Sequence, residues 1–345
     1  LLDALQTGGT SADAPTLITL GGNITVPAGG DYDTPPINGS GHFKIDGGGH
    51  TITWESTANN HHLLGNTSPD ADAVYIELTN INLDRQDMNA AVGVYNGKIT
   101  LGKDVALSGQ DGNMILANGE KAALELGDGC ELSYAAGSSP CCASAWFGAI
   151  LVLNGGKTAA GAYIGLDCNF YPAVSYPLIS VPKALTGDVH LLLKMIGTTP
   201  VAQGIGNYQL TQADCDRLKV NPESTVSLYM GQRDKYDGNF ELHLDPAASF
   251  QIKLRPKNFT PPTSGNIDVT NMTDVVAQIT IRAALEAGHT DLKLTGELSK
   301  IGIGGQWGTF ANNTQITTCD LTEVTGWGTT PTLPELAFKD CTKLQ

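Results

Sequence analysis

ITLGKDVALS (99–108) and LELGDGCELS (124–133) are two copies of one phrase, the second starting 25 positions after the first. Each alternates apolar and polar residues, reaches a Gly, crosses two linker residues and opens a second short strand. A unit this short cannot bury its apolar side alone and must stack on its neighbours. The alternation points one residue inward and the next outward. A period near 25 with two short strands per unit predicts coils of a right-handed parallel β-helix.

The same grammar recurs outward from these copies, in LITLGGNITV (17–26), FKIDGGGHTITW (43–54), VYIELTNINL (74–83) and AILVLNGG (149–156). LISVPKALTGDVHLLLKM (178–195), TVSLYM (225–230) and FELHLDPAASFQIKL (240–254) extend the series. Uneven spacing requires loops of unequal length between coils. In the last segment Leu242, Leu244, Phe250 and Ile252 are expected in the core, and Glu241, His243, Gln251 and Lys253 in water.

Composition agrees with many short strands. The 345 residues include 41 Gly, only 16% charged and 6% aromatic residues, so turns are abundant and charged helix faces scarce. This length favours a long solenoid or two domains over one core. No 18-residue apolar run is present, which excludes a membrane-spanning helix. The chain opens at Leu1 with no signal segment, and the expectation is that a signal was removed or omitted. Net charge is −15, with 35 acidic against 20 basic residues. That sign repels phosphate backbones and polyuronates, which leaves neutral glycans, proteins or calcium as partners and excludes nucleic acid.

Seven cysteines, Cys130, Cys141, Cys142, Cys168, Cys215, Cys319 and Cys341, show no paired CxxC spacing. They read as small buried hydrophobes filling the solenoid, with no disulfide framework.

The reading divides the chain into a β-helix over 1–255, a Pro-rich linker over 256–270 and a final region over 271–345. Residues 272–287 form the best helix pattern, with Asn271 as cap, Asp274 three residues on and Gly288 at the stop. Its apolar residues fall on two stripes, Val275, Val276 and Ile279 against Ile281, Ala284 and Leu285, as expected of a helix sandwiched between two layers. The strand pattern DLKLTGELSKI (291–301) follows, then FANNTQI (310–316) and FKDCTKL (338–344), two copies 28 positions apart.

These last segments resemble the cysteine-containing leucine-rich repeat of bacterial cell-surface antigens, the BspA type, in which an aromatic, a Cys and a Leu precede a strand. Phe338, Cys341 and Leu344 match it; Phe310 and Ile316 match the earlier copy, where Asn313 replaces the Cys. The likeness covers about 292–345. IDGGGHTI (45–52) resembles the opening coil of pectin-lyase-like β-helices, with Gly47, Gly48 and Gly49 supplying a tight turn. Together these likenesses imply a secreted or outer-surface protein of gut-type bacteria, monomeric, that binds a host protein or glycan. The fold class expected is therefore mainly β, a right-handed parallel β-helix followed by a helix and the start of a leucine-rich-repeat domain.

Catalytic signatures are sparse. The hydrolases on this scaffold carry Asn-x-Asp, Asp-Asp, Gly-His-Gly and Arg-x-Lys; only RPK (255–257) fits, and SGQDG (108–112) has one Asp where two are wanted. Asp111 and Asp128 read as turn residues, and Asp31 and Asp33, flanking Tyr32, as solvated turn residues that could touch calcium. Adjacent His61 and His62 face opposite sides of an extended chain and cannot share a metal. GIGGQWG (302–308) lacks a following helix to present amides to phosphate.

Ligand contact is expected in the mixed-charge loop GQRDKYDGN (231–239), through Arg233, Asp234 and Tyr236, and at the loop aromatics Trp146 and Tyr171. The function expected is non-catalytic cell-surface binding or adhesion, with no catalytic residue and no cofactor. A carbohydrate-active enzyme, a polysaccharide lyase or glycoside hydrolase on the β-helix, is the alternative, and requires converging carboxylates. A passive spacer is the third reading.

Overall fold

The computed structural model describes residues 8–26, 41–55, 64–66, 68–85, 90–109, 114–135, 141–166, 178–193, 200–224, 226–232, 250–303, 309–310, 315–328, 332–333, 337–338 and 341–345. The chain is mainly β and divides into two compact units. The first takes residues up to Ser224 apart from two short segments, and the second holds Thr225–Gln345.

The first unit is a parallel β-solenoid of about eight turns. Its strands stack in three walls. The first wall runs through Thr16–Thr19, Gly41–Asp46, Val74–Thr79, residues 97–101, residues 121–126, Ile150–Leu153, Ile179–Val181 and residues 202–204. The second holds Ile24–Val26, Thr51–Trp54, Ile81–Arg85, Val105–Gly109, Glu131–Ala135 and Lys157–Thr158. The third holds Leu64–Gly65, residues 92–94, residues 115–118, Cys141–Trp146, Tyr163–Leu166, Val189–Leu193 and Leu218–Val220. Sequence reading gives two strands per coil; the third was hidden because Val92–Leu101 and Ile115–Leu126 each run unbroken through two walls.

Register explains the core. Phe43, Ile76, Ile99, Leu124, Leu151 and Ile179 follow one another up the first wall, each at most 2% exposed. Ile18, Ile45, Leu78, Leu101, Leu126 and Leu153 form a second inward column. Each such side chain contributes about 1.5–3 kcal/mol by leaving water. Outward residues of the same strands pair by charge, Lys44 with Glu77 at 2.6 Å and Lys98 with Glu125 at 2.7 Å.

Glycine enforces the close stacking of coils. At the bend between third and first walls Gly97 has φ 124°, and a Cβ there would meet the Val74 carbonyl at 1.9 Å. In the IDGGGHTI turn, Gly48 and Gly49 take positive φ, whereas Gly47 is required by approach to the Asn80 carbonyl. A short helix, α1 (Gln212–Arg217), precedes the last strand of the third wall and is closed by a Thr211/Asp214 capping box.

The parallel winding ends there. Val226–Gln232 pairs antiparallel with Phe250–Pro256, so the described parts of the expected rungs at 225–230 and 240–254 meet each other antiparallel, in the second unit, rather than as parallel coils. The expected facing is corrected too. Phe250 is 46% exposed while Gln251 and Lys253 are buried, although Ile252 lies in the core as expected. Lys253 is covered because its Nζ meets Glu286 Oε1, at 2.7 Å, on the helix α2 (Asp274–Glu286). Leu242, Leu244, Glu241 and His243 lie outside the described residues.

Helix α2 is capped by Thr273 rather than Asn271, the Thr273 Oγ1 accepting from the Val276 amide. Gly288 follows its end with φ 89°. Beyond it a three-stranded parallel sheet joins Asn266–Asp268, Asp291–Glu297 and Thr318–Thr325, with Asn266 opposite Lys293 and Lys293 opposite Asp320. These partners recur every 27 residues. Ile267, Leu292, Leu294, Ile301 and Phe310 form its core with Ala277, Ile281, Ala284 and Leu285 of α2. Phe310 stacks on Phe338 with centroids 5.0 Å apart, and Cys341 Sγ donates to the Phe310 carbonyl at 3.0 Å.

Candidate functional site

The outward face of the second wall is a grid of short polar side chains. Thr51, Asn82, Ala106 and Ser133 occupy one column on four successive rungs. Asp84, Ser108 and Ala135 occupy the next, two residues further along the strands. Rungs lie about 4.8 Å apart and the columns about 7 Å apart. Such small residues leave a concavity of about 460 Å³, whose remaining lining is the buried Leu107 and the half-buried Tyr134.

Within the groove Ser108 donates its hydroxyl to Asp84 Oδ1 at 2.9 Å. The Thr51 amide, at one end, donates to Asn23 Oδ1 at 3.0 Å. Among the described residues that line it, Asp84 alone is charged, and none is Lys, Arg or His. Wall backbone groups are spent on neighbouring rungs, as where the Asn82 amide donates to the His50 carbonyl at 3.0 Å. Recognition there falls to side chains.

Behind the groove, on the inward side of the same strands, Arg85 is 1% exposed and lies over the Trp54 ring at 5.0 Å, donating to the Ala90 carbonyl. This cation packs within the solenoid rather than facing a ligand.

Of the sequence-predicted contact residues, Trp146 alone falls within the described residues. Trp146 closes its strand in the third wall, where it pairs with Asn118 and meets Phe147 edge-on at 6.4 Å. Arg233, Asp234, Tyr236 and Tyr171 lie outside the described residues, as do Asp31, Asp33, Asp111, His61 and His62. Asp128 sits in a turn with Gly129 at φ 75° and pairs with Lys183 at 3.0 Å.

No single sequence motif spans the groove, because its lining comes from four separate second strands. Aligning the second strands TITW, INLDR, VALSG and ELSYA by their inward residues would have shown the outward columns.

Chemically, the groove can hydrogen-bond but offers a single carboxylate, where glycoside hydrolysis uses two. Among the described residues no group of three or more His, Cys, Asp or Glu side chains is placed to hold a metal ion. Likewise no helix among them is long and apolar enough to cross a membrane. No protein family, curated protein or solved structure matches the chain.

Proposed function

We propose that this chain is a non-catalytic cell-surface binding protein that holds a glycan or protein ligand on the outer wall of its solenoid. The observation that carries the reading is the second-wall groove: four rungs of hydrogen-bonding side chains around one carboxylate, Asp84. Such a surface supplies contacts without the acid and base pair that glycoside hydrolysis uses.

The finer architecture belongs to the same proposal. The first unit is read as a β-helix of the pectin-lyase-like kind, on the strength of the parallel walls and the IDGGGHTI turn. The second is read as leucine-rich repeats of the BspA type. The 27-residue ladder and the Phe310–Phe338 stack support that reading. Both architectures present long surfaces suited to partners outside the cell, and an extracellular, bacterial-surface location follows from that reading.

The test is binding of the whole chain to immobilised glycans and extracellular-matrix proteins, beside a Ser108→Trp variant that fills the groove. Retention of the wild type and loss in the variant support the proposal; no retention on either surface contradicts it.

A further inference from the structure

We infer that the groove selects a neutral, linear oligosaccharide lying along the solenoid axis with about one sugar per rung. This rests on the surface-binding reading above and narrows it to one ligand chemistry.

The first argument is charge. Asp84 is the one side chain charged at neutral pH among the described lining residues, on a chain of net charge −15. A uronate, sulfated or phosphorylated chain would meet like charge and no Lys, Arg or His among the described lining residues. A neutral ligand incurs neither cost.

The second argument is the type of hydrogen bond on offer. Peptides that bind β-proteins in extended form pair with an open strand edge. The groove lies mid-wall, where strands are paired on both sides: Ile81–Arg85 lies between Thr51–Trp54 and Val105–Gly109. What remains is Thr51, Asn82 and Ser133, each able to donate and accept, and Asp84, an acceptor. A row of sugar hydroxyls, donors and acceptors at once, complements that set.

The third argument is repeat length. From Thr51 to Ser133 the groove crosses four rungs, or roughly 14 Å at the spacing of paired strands. Successive pyranoses of an extended glycan advance by about one rung each, so the same contact recurs from rung to rung. Four sugars fill the groove.

Titration calorimetry of the whole chain with cello-, xylo- and manno-oligosaccharides of two to eight sugars, beside oligogalacturonates of equal lengths, tests the inference. The expected result is at least one neutral series whose affinity climbs to four sugars and then levels, with the uronate series at least tenfold weaker. Ser108→Trp and Ala135→Trp, each checked for unchanged circular dichroism, abolish that binding. Asp84→Asn, which keeps an acceptor, reduces it by less than about fivefold; a cationic ligand would be lost altogether. Preference for uronates, affinity rising steadily past four sugars, or neutral binding untouched by both Trp variants overturns the inference. If no oligosaccharide binds but a matrix protein does, and Ser108→Trp removes it, the glycan assignment fails while surface binding stands. Absence of both ligands overturns the two together.

Discussion

Ser108 donates a hydrogen bond from its hydroxyl to Asp84 Oδ1 across adjacent rungs of the second wall, at 2.9 Å, so one groove residue orients the other. That bond fixes the orientation of the carboxylate within the groove. Asp84→Ala is expected to weaken binding of the tightest neutral oligosaccharide about tenfold, and Ser108→Ala about threefold. Because the two act as one group, the double variant should be no weaker than Asp84→Ala alone. Calorimetric titration of the three variants decides; additive losses would separate the two residues.

The inward columns make a stability prediction. Leu101, fully buried between Leu78 and Leu126, leaves a cavity on truncation, and Leu101→Ala should cost about 2–5 kcal/mol. Leu17 sits one position from the core residue Ile18 yet is 71% exposed, so Leu17→Ala should stay within about 0.5 kcal/mol. Urea unfolding followed by circular dichroism compares them. Equal effects would mean the register of the first wall is wrong.

In the second unit, Lys253 is 7% exposed at its side chain and depends on Glu286 for compensation. Glu286→Ala removes the ion-pair partner of a buried ammonium and should cost about 3 kcal/mol, whereas Lys253→Met with Glu286→Leu should recover most of that. Thermal unfolding of the single and double variants reads the difference. A double variant as unstable as the single would show that the pair's shape, not its charge, matters.

Asp214 predicts a pH dependence. Burial alone would raise its carboxyl, but the Leu185 amide, the Tyr208 hydroxyl and the Thr211 hydroxyl and amide hold it below the usual carboxylate range. Burial, reinforced by the bond to Asp214, pushes Tyr208 up to about 12. A depressed folded pKa gives stability that is complete above the unfolded value of about 3.9 and drains away as pH falls through the folded one. Asp214→Asn should therefore cost about 2 kcal/mol at pH 7, and its deficit should shrink below about pH 4. Urea midpoints from pH 7 to pH 3 measure both; a deficit independent of pH would exclude the ionised carboxylate as the cause.

The core thiols predict selective chemistry. Burial, with the Glu131 charge added, pushes Cys130 up to about 12, and burial beside Cys141 raises Cys142 as well. At pH 8 neither presents thiolate, so iodoacetamide should leave both unmodified in the native chain and label both in guanidinium. Peptide mass spectrometry settles it. Labelling of Cys130 or Cys142 in the folded chain would place them outside the core.

The legibility of the chain in sequence follows what each feature depends on. Strands such as Ile99–Leu101 and Leu124–Leu126 announce themselves because their alternation is local and a Gly ends them. The third wall does not, because residues 92–101 and 115–126 carry two walls in one continuous strand, with only Gly97 and Gly119 at positive φ to mark the corner. Gln251 and Lys253 read as solvent-facing because what buries them comes from elsewhere: α2, with Glu286, lies 33 residues beyond Lys253. The groove is less legible still. Thr51, Asn82, Ser108 and Ser133 become neighbours only once coils of unequal length are aligned in register. The sequence points instead to isolated aromatics such as Trp146, which lies in a strand of a different wall.

Hydrogen–deuterium exchange of the whole chain, with and without a saturating neutral hexasaccharide of the tightest-binding series, addresses the location of binding most directly. Slower exchange confined to peptides covering residues 51–54, 81–85, 105–109 and 131–135 is the predicted result. Unchanged exchange in those strands, with the ligand shown to be bound, or protection centred on the first or third wall, would contradict it.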